Sequence, residues 1–175
     1  MRIIAGSLKG RMFDAPSGHR THPMSDKMRG ALFNMLGDID GLTVLDAFAG
    51  SGALSFEALS RGASSATAIE SDRNAQKTIT ENSKVLALGT QVKLVKATSN
   101  AWFSTNGGRT FDLLLCDPPY DNLQLPLIVR LAGAVKPGGL LVLSWPGSDV
   151  LPEITGLTLI ENRSYGDSQL GFYRR

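Results

Sequence analysis

The sequence predicts an α/β fold, a mostly parallel sheet with helices on both faces. From Leu42 onward, apolar runs typical of buried strands alternate with stretches of helical periodicity. The last two apolar runs have no helix between them, which predicts an antiparallel pair at one edge of the sheet. With 175 residues, 42% of them hydrophobic and 19% charged, the chain can form one globular domain with a full core.

The N-terminal part predicts a short β-hairpin followed by one helix. The stretch "RIIAGSLKGRMF" has apolar ends that flank a break at Gly6 and Ser7. A loop with prolines and a glycine leads to Ser25 or Asp26, either of which can cap a helix through its side-chain oxygen. The apolar residues of that helix recur on one face, and Gly37 ends it.

The remaining elements alternate between strand and helix as far as the fifth strand, and two further strands follow it. Seven strands are predicted in "LTVLDAF", "SATAIES", "QVKLVKA", "FDLLLCD", "GGLLVLSWP", "TGLTLIENRSY" and "SQLGFYRR". Helices are predicted in "ALSFEALSRG", "DRNAQKTITENSKVLALG" and "NLQLPLIVRLAGAV", with a short one near residues 100–103. Pro126 falls in or near the first turn of the third of these helices, where its missing N–H costs little.

The composition argues against several classes of protein. Cys116 is the single cysteine, so no internal disulfide can form, and a reducing, cytoplasmic setting is favoured. We expect Cys116 to be core packing, and two histidines with one cysteine do not make a metal site of the usual spacing. No run approaches the roughly 18 apolar residues of a membrane helix, and "MRIIAGSLKGR" lacks the apolar core of a signal peptide.

The charge is distributed unevenly along the chain. Residues 1–36 hold six basic and two acidic groups, a net charge of +4, whereas the rest holds 12 basic and 14 acidic groups, a net charge of −2. This pattern favours an anionic partner at the N-terminal end, although a solvated basic surface gives the same pattern. The candidate contacts are Arg2, Lys9, Arg11, Arg20, His22, Lys27 and Arg29. Lys27 and Arg29 are equally compatible with charges on the face of a helix.

A glycine loop follows the first strand and opens a helix. In parallel sheets, ligands bind at the carboxyl ends of the strands, where glycines let a ligand approach the backbone. Glu70 lies 20 residues beyond Gly50, at the end of the next strand, where a carboxylate can accept hydrogen bonds from a ribose. A dinucleotide would favour a third glycine where Ser55 stands. S-adenosylmethionine fits better, because Asp46 can meet its ammonium group; a structural turn without a ligand is the third interpretation.

The stretch "DPPY", residues 117–120, ends the fourth strand beside the same crevice. Two prolines stiffen the turn and remove two amide donors, so that carbonyls point in a fixed direction. Asp117 and a neighbouring carbonyl can then accept both hydrogens of an exocyclic amine, and a base can stack on Tyr120. Taken one at a time, each residue has an equally good structural explanation: Asp117 could cap a helix, the prolines could simply end the strand, and Tyr120 could be a packed ring. Together, at this place, they predict a clamp for an amine.

These motifs resemble those of a known family. "DPPY" is similar to the signature of amino-group N-methyltransferases, and adenine-N6 and glutamine-N5 enzymes share it. "VLDAFAGSGALSFEALSRGA" resembles their cofactor loop. The stretches "MRIIAGSLKGR", "HPMSDKMRGALFNML" and "YGDSQLGFY" resemble the bacterial 16S rRNA guanine-N2 methyltransferase family known as RsmD. The resemblance covers nearly the whole chain.

The resemblance implies a Rossmann-like class I methyltransferase fold and S-adenosylmethionine as the cofactor. Its implied cofactor contacts are Asp46, Phe48, Ala49, Gly50, Ser51, Gly52, Glu70 and Ser71, and its implied catalytic residues are Asp117, Pro118, Pro119 and Tyr120. After the third strand, Thr98, Ser99 or Asn100 is expected to hold the adenine, and we take Thr98 as the candidate. The family usually has arginine where His22 stands, which puts one substrate contact in doubt unless Arg20 or His22 itself replaces it.

The function expected from the resemblance is methyl transfer to a guanine N2 amine in 16S rRNA, within a partly or fully assembled small subunit. Residues 1–24 are then an RNA-contacting extension, and residues 25–175 form the methyltransferase domain. An adenine-N6 methyltransferase acting on DNA or RNA is the alternative among enzymes. A non-catalytic module that binds nucleotides or RNA is the alternative outside them.

Overall fold

A computed structural model of the protein describes residues 1–16 and 24–175, so Arg20 and His22 lie outside the described residues. The helices are α1 (Asp26–Leu36), α2 (Ala53–Ser60), α3 (Arg73–Val85), α4 (Ser99–Asn106) and α5 (Leu125–Leu131). The strands are β1 (Thr43–Asp46), β2 (Ser65–Glu70), β3 (Val92–Lys96), β4 (Phe111–Cys116), β5 (Val135–Pro146), β6 (Thr158–Tyr165) and β7 (Ser168–Arg174). Single 3-10 turns precede β3 and β5.

The seven strands form one sheet in the order β3-β2-β1-β4-β5-β7-β6. The first five strands in sequence are parallel, and β7 pairs antiparallel with both β5 and β6. This confirms the predicted mostly parallel sheet with an antiparallel edge. The strand order reverses between β1 and β4, and a crevice opens at such a reversal, beyond the carboxyl ends of the strands.

The core lies in two layers, one on each face of the sheet. Successive residues of a strand point to opposite faces, so Val44 joins one layer and Leu45 the other. The first layer includes buried residues of α1, α2 and α3, whereas the second includes residues of α4 and α5. Cys116 is 2% exposed in the second layer, which confirms its role as core packing.

The N-terminal segment, residues 1–13, packs onto the first layer of the core. One antiparallel bridge joins Arg2 to Met12, where the sequence predicted a hairpin of two strands. Ile3 and Phe13 are almost fully buried, and the ring of Phe13 meets that of Phe56 edge-on at 5.4 Å. Backbone hydrogen bonds also join the two arms of the segment, from the Ile3 amide to the Arg11 carbonyl and from the Phe13 amide to the Met1 carbonyl, both at 3.0 Å.

Polar side chains begin three of the helices. Ser25 accepts a hydrogen bond from the Met28 amide and starts α1, so the cap is Ser25 and not Asp26. Asp72 caps α3, and Thr98 caps α4. Within the described ranges, none of the helices has the length and apolar character needed to cross a membrane.

Candidate active site

A cleft of about 1390 Å³ opens at the carboxyl ends of β1, β2, β4 and β5. Its walls bring together the glycine loop, the end of β2, the start of α4 and the "DPPY" turn, as their positions in the sequence predicted. A pocket for one small ligand usually measures roughly 300–1,000 Å³. The cleft therefore has room for two ligand groups side by side.

The glycine loop turns sharply between β1 and α2. Gly52 has a φ of +79° and stands as the residue before α2, a left-handed conformation that glycine adopts without strain. Its amide donates to the carbonyl of Ala49 at 2.7 Å, which closes the turn. The cleft is lined by four consecutive residues of this loop, Phe48, Ala49, Gly50 and Ser51.

Glu70 ties the loop to the end of β2. One carboxylate oxygen accepts from the Gly50 amide at 2.7 Å, and the other accepts from the Asp72 amide at 2.7 Å. A carboxylate oxygen has two lone pairs, so each can still accept a hydrogen bond from the cleft. Glu70 and Ser71 both line the cleft, which places a negative charge where the sequence predicted a ribose site.

Asp46 and Gly52, two of the predicted cofactor contacts, do not line the cleft. Asp46 is fully buried and accepts a hydrogen bond from the Ser55 hydroxyl of α2 at 2.8 Å. Burial raises its pKa to about 7, although the Ser55 hydrogen bond acts the other way. Its second oxygen has no partner among the described residues. Asp46 therefore lies beneath the cleft lining with one oxygen unpartnered, and its contact with a cofactor stays a prediction.

The "DPPY" turn lies across the cleft mouth and is held by a residue that sequence analysis missed. All four of its residues line the cleft. The Tyr120 hydroxyl lies 2.7 Å from the hydroxyl of Ser144, which is 2% exposed at the carboxyl end of β5. Ser144 also lies close enough to Asp117 to lower the pKa of that carboxyl. Tyr120 itself is 39% exposed, so its ring presents an open face.

Asp117 has the ionisation behaviour of a group that exchanges protons near neutral pH. Burial raises its pKa to about 6, and the hydrogen bond from Ser144 limits the rise. At pH 7 the carboxylate form therefore predominates, and both of its oxygens can accept hydrogen bonds. Perturbed carboxyl groups that line a cleft are frequent at functional sites.

The residues after β3 divide between two roles. Thr98 accepts from the Ala101 amide as the cap of α4, and it lines the cleft together with Ser99. Ser99 is buried and donates to the Ala47 carbonyl, so its hydroxyl is already engaged. Asn100 accepts from Arg130 at 2.6 Å and does not line the cleft. Of the three candidates, only Thr98 is both exposed and part of the cleft lining.

The far wall of the cleft comes from elements that carried no predicted cleft residues. It is lined by Met24, Ser25 and Met28 from the start of α1, and by Tyr165 and Ser168 from the turn between β6 and β7. The chain order hides this wall, because the turn lies about 120 residues from the glycine loop. The sequence feature that could have indicated this wall is an aromatic residue directly before a turn glycine, Tyr165 before Gly166.

The prediction that Arg29 contacts an anionic partner is wrong. Its side chain is fully buried and donates to Asp26 at 2.8 Å and to the Arg2 carbonyl at 2.7 Å. Arg11 donates to the carbonyls of Val85 and Leu86, which end α3. Arg2 pairs with Asp26 at 2.9 Å, with 63% of its side chain exposed. Lys9 and Lys27 are exposed.

Trp145 is core packing and not part of the cleft. Its ring is 6% exposed within the second core layer, on the opposite side of β5 from Ser144. Among the residues in the described ranges, no cluster of three metal-ligating side chains exists. The cleft thus offers a charged acceptor, a stiff aromatic turn and backbone amides as its chemical groups.

The strand order, the glycine loop and the "DPPY" turn together define the class I methyltransferase fold. A solved structure of an Escherichia coli protein, yhhF, described as a candidate methyltransferase, has a TM-score of 0.89 and 30% identity. It covers 100% of this chain, and the match spans 97% of that chain. TrmN from Thermus thermophilus, with a TM-score of 0.70 and 22% identity over 85% of this chain and 48% of its own, shares the fold.

The family model described as "Conserved hypothetical protein 95" matches residues 1–174, and the chain belongs to that family, which the sequence resemblance named as RsmD. The YlbH protein of Bacillus subtilis (strain 168) is 32% identical over 182 residues, 100% of this chain and 99% of its own. The Escherichia coli (strain K12) protein "Ribosomal RNA small subunit methyltransferase D" is 37% identical over 121 residues, 69% of this chain and 60% of its own.

Proposed function

We propose that this protein transfers a methyl group from S-adenosylmethionine to the exocyclic N2 amine of a guanine in 16S rRNA of the small ribosomal subunit. The observation that carries the proposal is the placement of the Asp117–Tyr120 turn in one cleft with Glu70 and the Gly50 amide. Family membership and the name of the Escherichia coli relative support RNA as the substrate.

The residues of the cleft fit S-adenosylmethionine. Glu70 would accept hydrogen bonds from the ribose, the loop from Phe48 to Ser51 would pass beneath the methionyl part, and Thr98 would lie near the adenine. When bound, this cofactor supplies an activated methyl group on a sulfonium, so the protein needs to supply position and electrostatics. The absence of a third glycine, where Ser55 stands, disfavours a dinucleotide.

The turn would hold the amine in a reactive orientation. The Asp117 carboxylate and a carbonyl of the proline pair accept the two N–H bonds, and the nitrogen lone pair then faces the methyl group. With a pKa of about 6, Asp117 can take the proton that the nitrogen sheds once it is alkylated. The base would stack on Tyr120, and a paired guanine would first have to leave its stack.

The RNA would meet the basic residues beside the far wall of the cleft. Arg2, Lys9 and Lys27 are exposed there or on the adjoining N-terminal segment, and phosphate contacts of this kind make binding strongly salt-dependent. We place the protein in the cytoplasm and its substrate in a partly or fully assembled small subunit. Residues 1–24 act as the RNA-contacting part and residues 25–175 as the catalytic domain.

Nucleoside analysis by mass spectrometry tests the proposal. Small subunits that lack methylation are incubated with the protein and S-adenosylmethionine, and the RNA is digested to nucleosides. N2-methylguanosine is expected. N6-methyladenosine would replace the proposal by the adenine-N6 alternative, and no methylated nucleoside, with binding retained, would indicate a non-catalytic module.

A further inference from the structure

A buried carboxylate on α2 holds the backbone of the N-terminal segment. Glu57 is fully buried, and it accepts hydrogen bonds from the amides of Ile4 at 2.8 Å and Ala5 at 3.1 Å. Two guanidiniums balance its charge: Arg61 lies 2.8 Å from one oxygen and Arg29 3.8 Å from the other. A carboxylate is stable in such a place only when several donors surround it, as they do here.

Ser60 makes a second attachment on the same face of α2. Positions three apart on a helix are neighbours, so Ser60 lies beside Glu57. The Ser60 hydroxyl donates to the Ala5 carbonyl at 2.6 Å and accepts from the Leu8 amide at 3.0 Å. The Ser60 carbonyl accepts from the Ser7 amide at 2.7 Å. The same carbonyl also accepts from the Ser7 hydroxyl at 3.3 Å, so six hydrogen bonds join these two residues of α2 to residues 4–8.

Gly6 is the point of closest approach between the segment and α2. A Cβ atom at this position would lie 1.8 Å from the Ser60 carbonyl oxygen, a distance that no side chain tolerates. Its φ is +84°. Gly10, four residues later, has almost the same φ, +82°, but a Cβ there would have no heavy atom within 4 Å. The two glycines differ in contact and share their backbone conformation.

These contacts connect the N-terminal segment to two parts of the cleft, the cofactor loop and the far wall. Helix α2 begins directly after Gly52 of the cofactor loop. Arg29 donates to the carbonyls of Arg2 at 2.7 Å and Met24 at 3.3 Å, and Met24 lines the far wall. The exposed Arg2 and Lys9 therefore belong to a segment that is fixed to α2, which follows the cofactor loop, and to the start of α1, which lines the far wall.

We infer that Glu57 and Ser60 are positioning residues, which dock the N-terminal segment so that its basic groups meet RNA phosphates while the target base reaches Asp117. The inference rests on the proposed function. If it holds, the docking sets the affinity for RNA and leaves the affinity for S-adenosylmethionine unchanged, because neither Glu57 nor Ser60 lines the cleft. A merely structural role would change both affinities together.

The test compares Gly6→Ala with Gly10→Ala in the full chain. Both carry the cost of alanine at positive φ, but only Gly6→Ala collides with Ser60. We measure filter binding to unmethylated small subunits at several salt concentrations, and calorimetric binding of S-adenosylmethionine. Gly6→Ala is expected to bind the subunit about tenfold more weakly than Gly10→Ala and to lose about one unit of the salt slope. Its cofactor affinity should stay within about twofold of that of Gly10→Ala.

Equal subunit affinity and salt slope in the two variants would overturn the inference. A loss of cofactor affinity in Gly6→Ala as large as its loss of subunit affinity would overturn it too. If Gly6→Ala does not fold, Ser60→Ala replaces it, with Ser64→Ala as its control, since the exposed Ser64 hydroxyl donates to the Leu42 carbonyl and makes no hydrogen bond to residues 1–16. The same differences are expected. The wild type is assayed for N2-methylguanosine in parallel. If the wild type forms no N2-methylguanosine, the proposed function fails and this inference fails with it. If it forms N2-methylguanosine but the two variants bind the subunit equally well, the inference alone fails.

Discussion

The Tyr120 hydroxyl and the Ser144 hydroxyl lie 2.7 Å apart, and this contact joins the "DPPY" turn to the end of β5. Ser144 also lowers the pKa of the neighbouring Asp117 carboxyl, so one small side chain acts on both the proposed acceptor and the proposed stacking ring. Ser144 is 2% exposed, and its hydroxyl can accept from Tyr120 while it donates to the carboxylate. The two prolines therefore stiffen the backbone of the turn, and the contact with Ser144 attaches the turn to β5.

Replacing Ser144 by alanine should shift the pH dependence of activity. The hydrogen bond from Ser144 lowers the pKa of Asp117, so its loss moves that pKa above the present value of about 6. The acidic limb of the kcat/KM profile is expected to move up by about one pH unit, since one unit corresponds to ~1.4 kcal/mol. Ser144→Thr keeps the hydroxyl and serves as the control. An unchanged limb in Ser144→Ala would show that the hydroxyl does not tune Asp117.

Replacing Glu70 by glutamine should weaken cofactor binding. A carboxylate is the stronger acceptor for two ribose hydroxyls, and a hydrogen bond to a charged group contributes ~1.5–3 kcal/mol. We expect the calorimetric Kd for S-adenosylmethionine to rise at least about tenfold. Glu81→Gln, on the exposed face of α3, is the matched control, because its side chain is 59% exposed and distant from the cleft lining. Equal affinity in the two variants would place the ribose elsewhere.

Asp112 should stabilise the fold at neutral pH and lose that effect in acid. Burial acts to raise its pKa, but hydrogen bonds from Lys136 and Thr43 prevail and lower it to about 2. The unfolded carboxyl titrates near ~3.9, so the unfolded state binds more protons between these values. The free energy of unfolding therefore falls as the pH drops from about 4 to about 2.

Asp112→Asn is expected to lower the free energy of unfolding by ~1–2 kcal/mol at pH 7, a value reduced for partial exposure of the pair. The loss relative to wild type should shrink as the pH approaches 2. Urea unfolding at several pH values measures this difference. A difference that is constant with pH would contradict the proposed electrostatic origin.

The sheet was predictable because its signals are local. The central strands are continuous apolar runs, as in "FDLLLCD", and four of the five helices in the described ranges have a capping side chain or a glycine at an end. Asp117, Glu70 and Gly50 were predictable for the same reason: the fold class places strand ends together, so their positions in the sequence define the cleft.

Three features depend on contacts that the sequence does not display. Arg29 looked like an exposed helix charge, but it is buried because Glu57, 28 residues later, supplies a buried negative partner. Asp46 has the expected spacing, yet its side chain is fully buried and one of its oxygens accepts from the Ser55 hydroxyl. Ser144 lies near the carboxyl end of β5, and its contact with Tyr120, 24 residues earlier, is not visible in the sequence.

The most direct test of the central claim is the yield of N2-methylguanosine from unmethylated small subunits, compared between wild type and Asp117→Ala at equal cofactor saturation. The amine-clamp account predicts one N2-methylguanosine per subunit with the wild type. It also predicts a loss of at least about 100-fold in rate for Asp117→Ala, in which S-adenosylmethionine still binds. Full activity in Asp117→Ala, or methylation of a different base by the wild type, would contradict it.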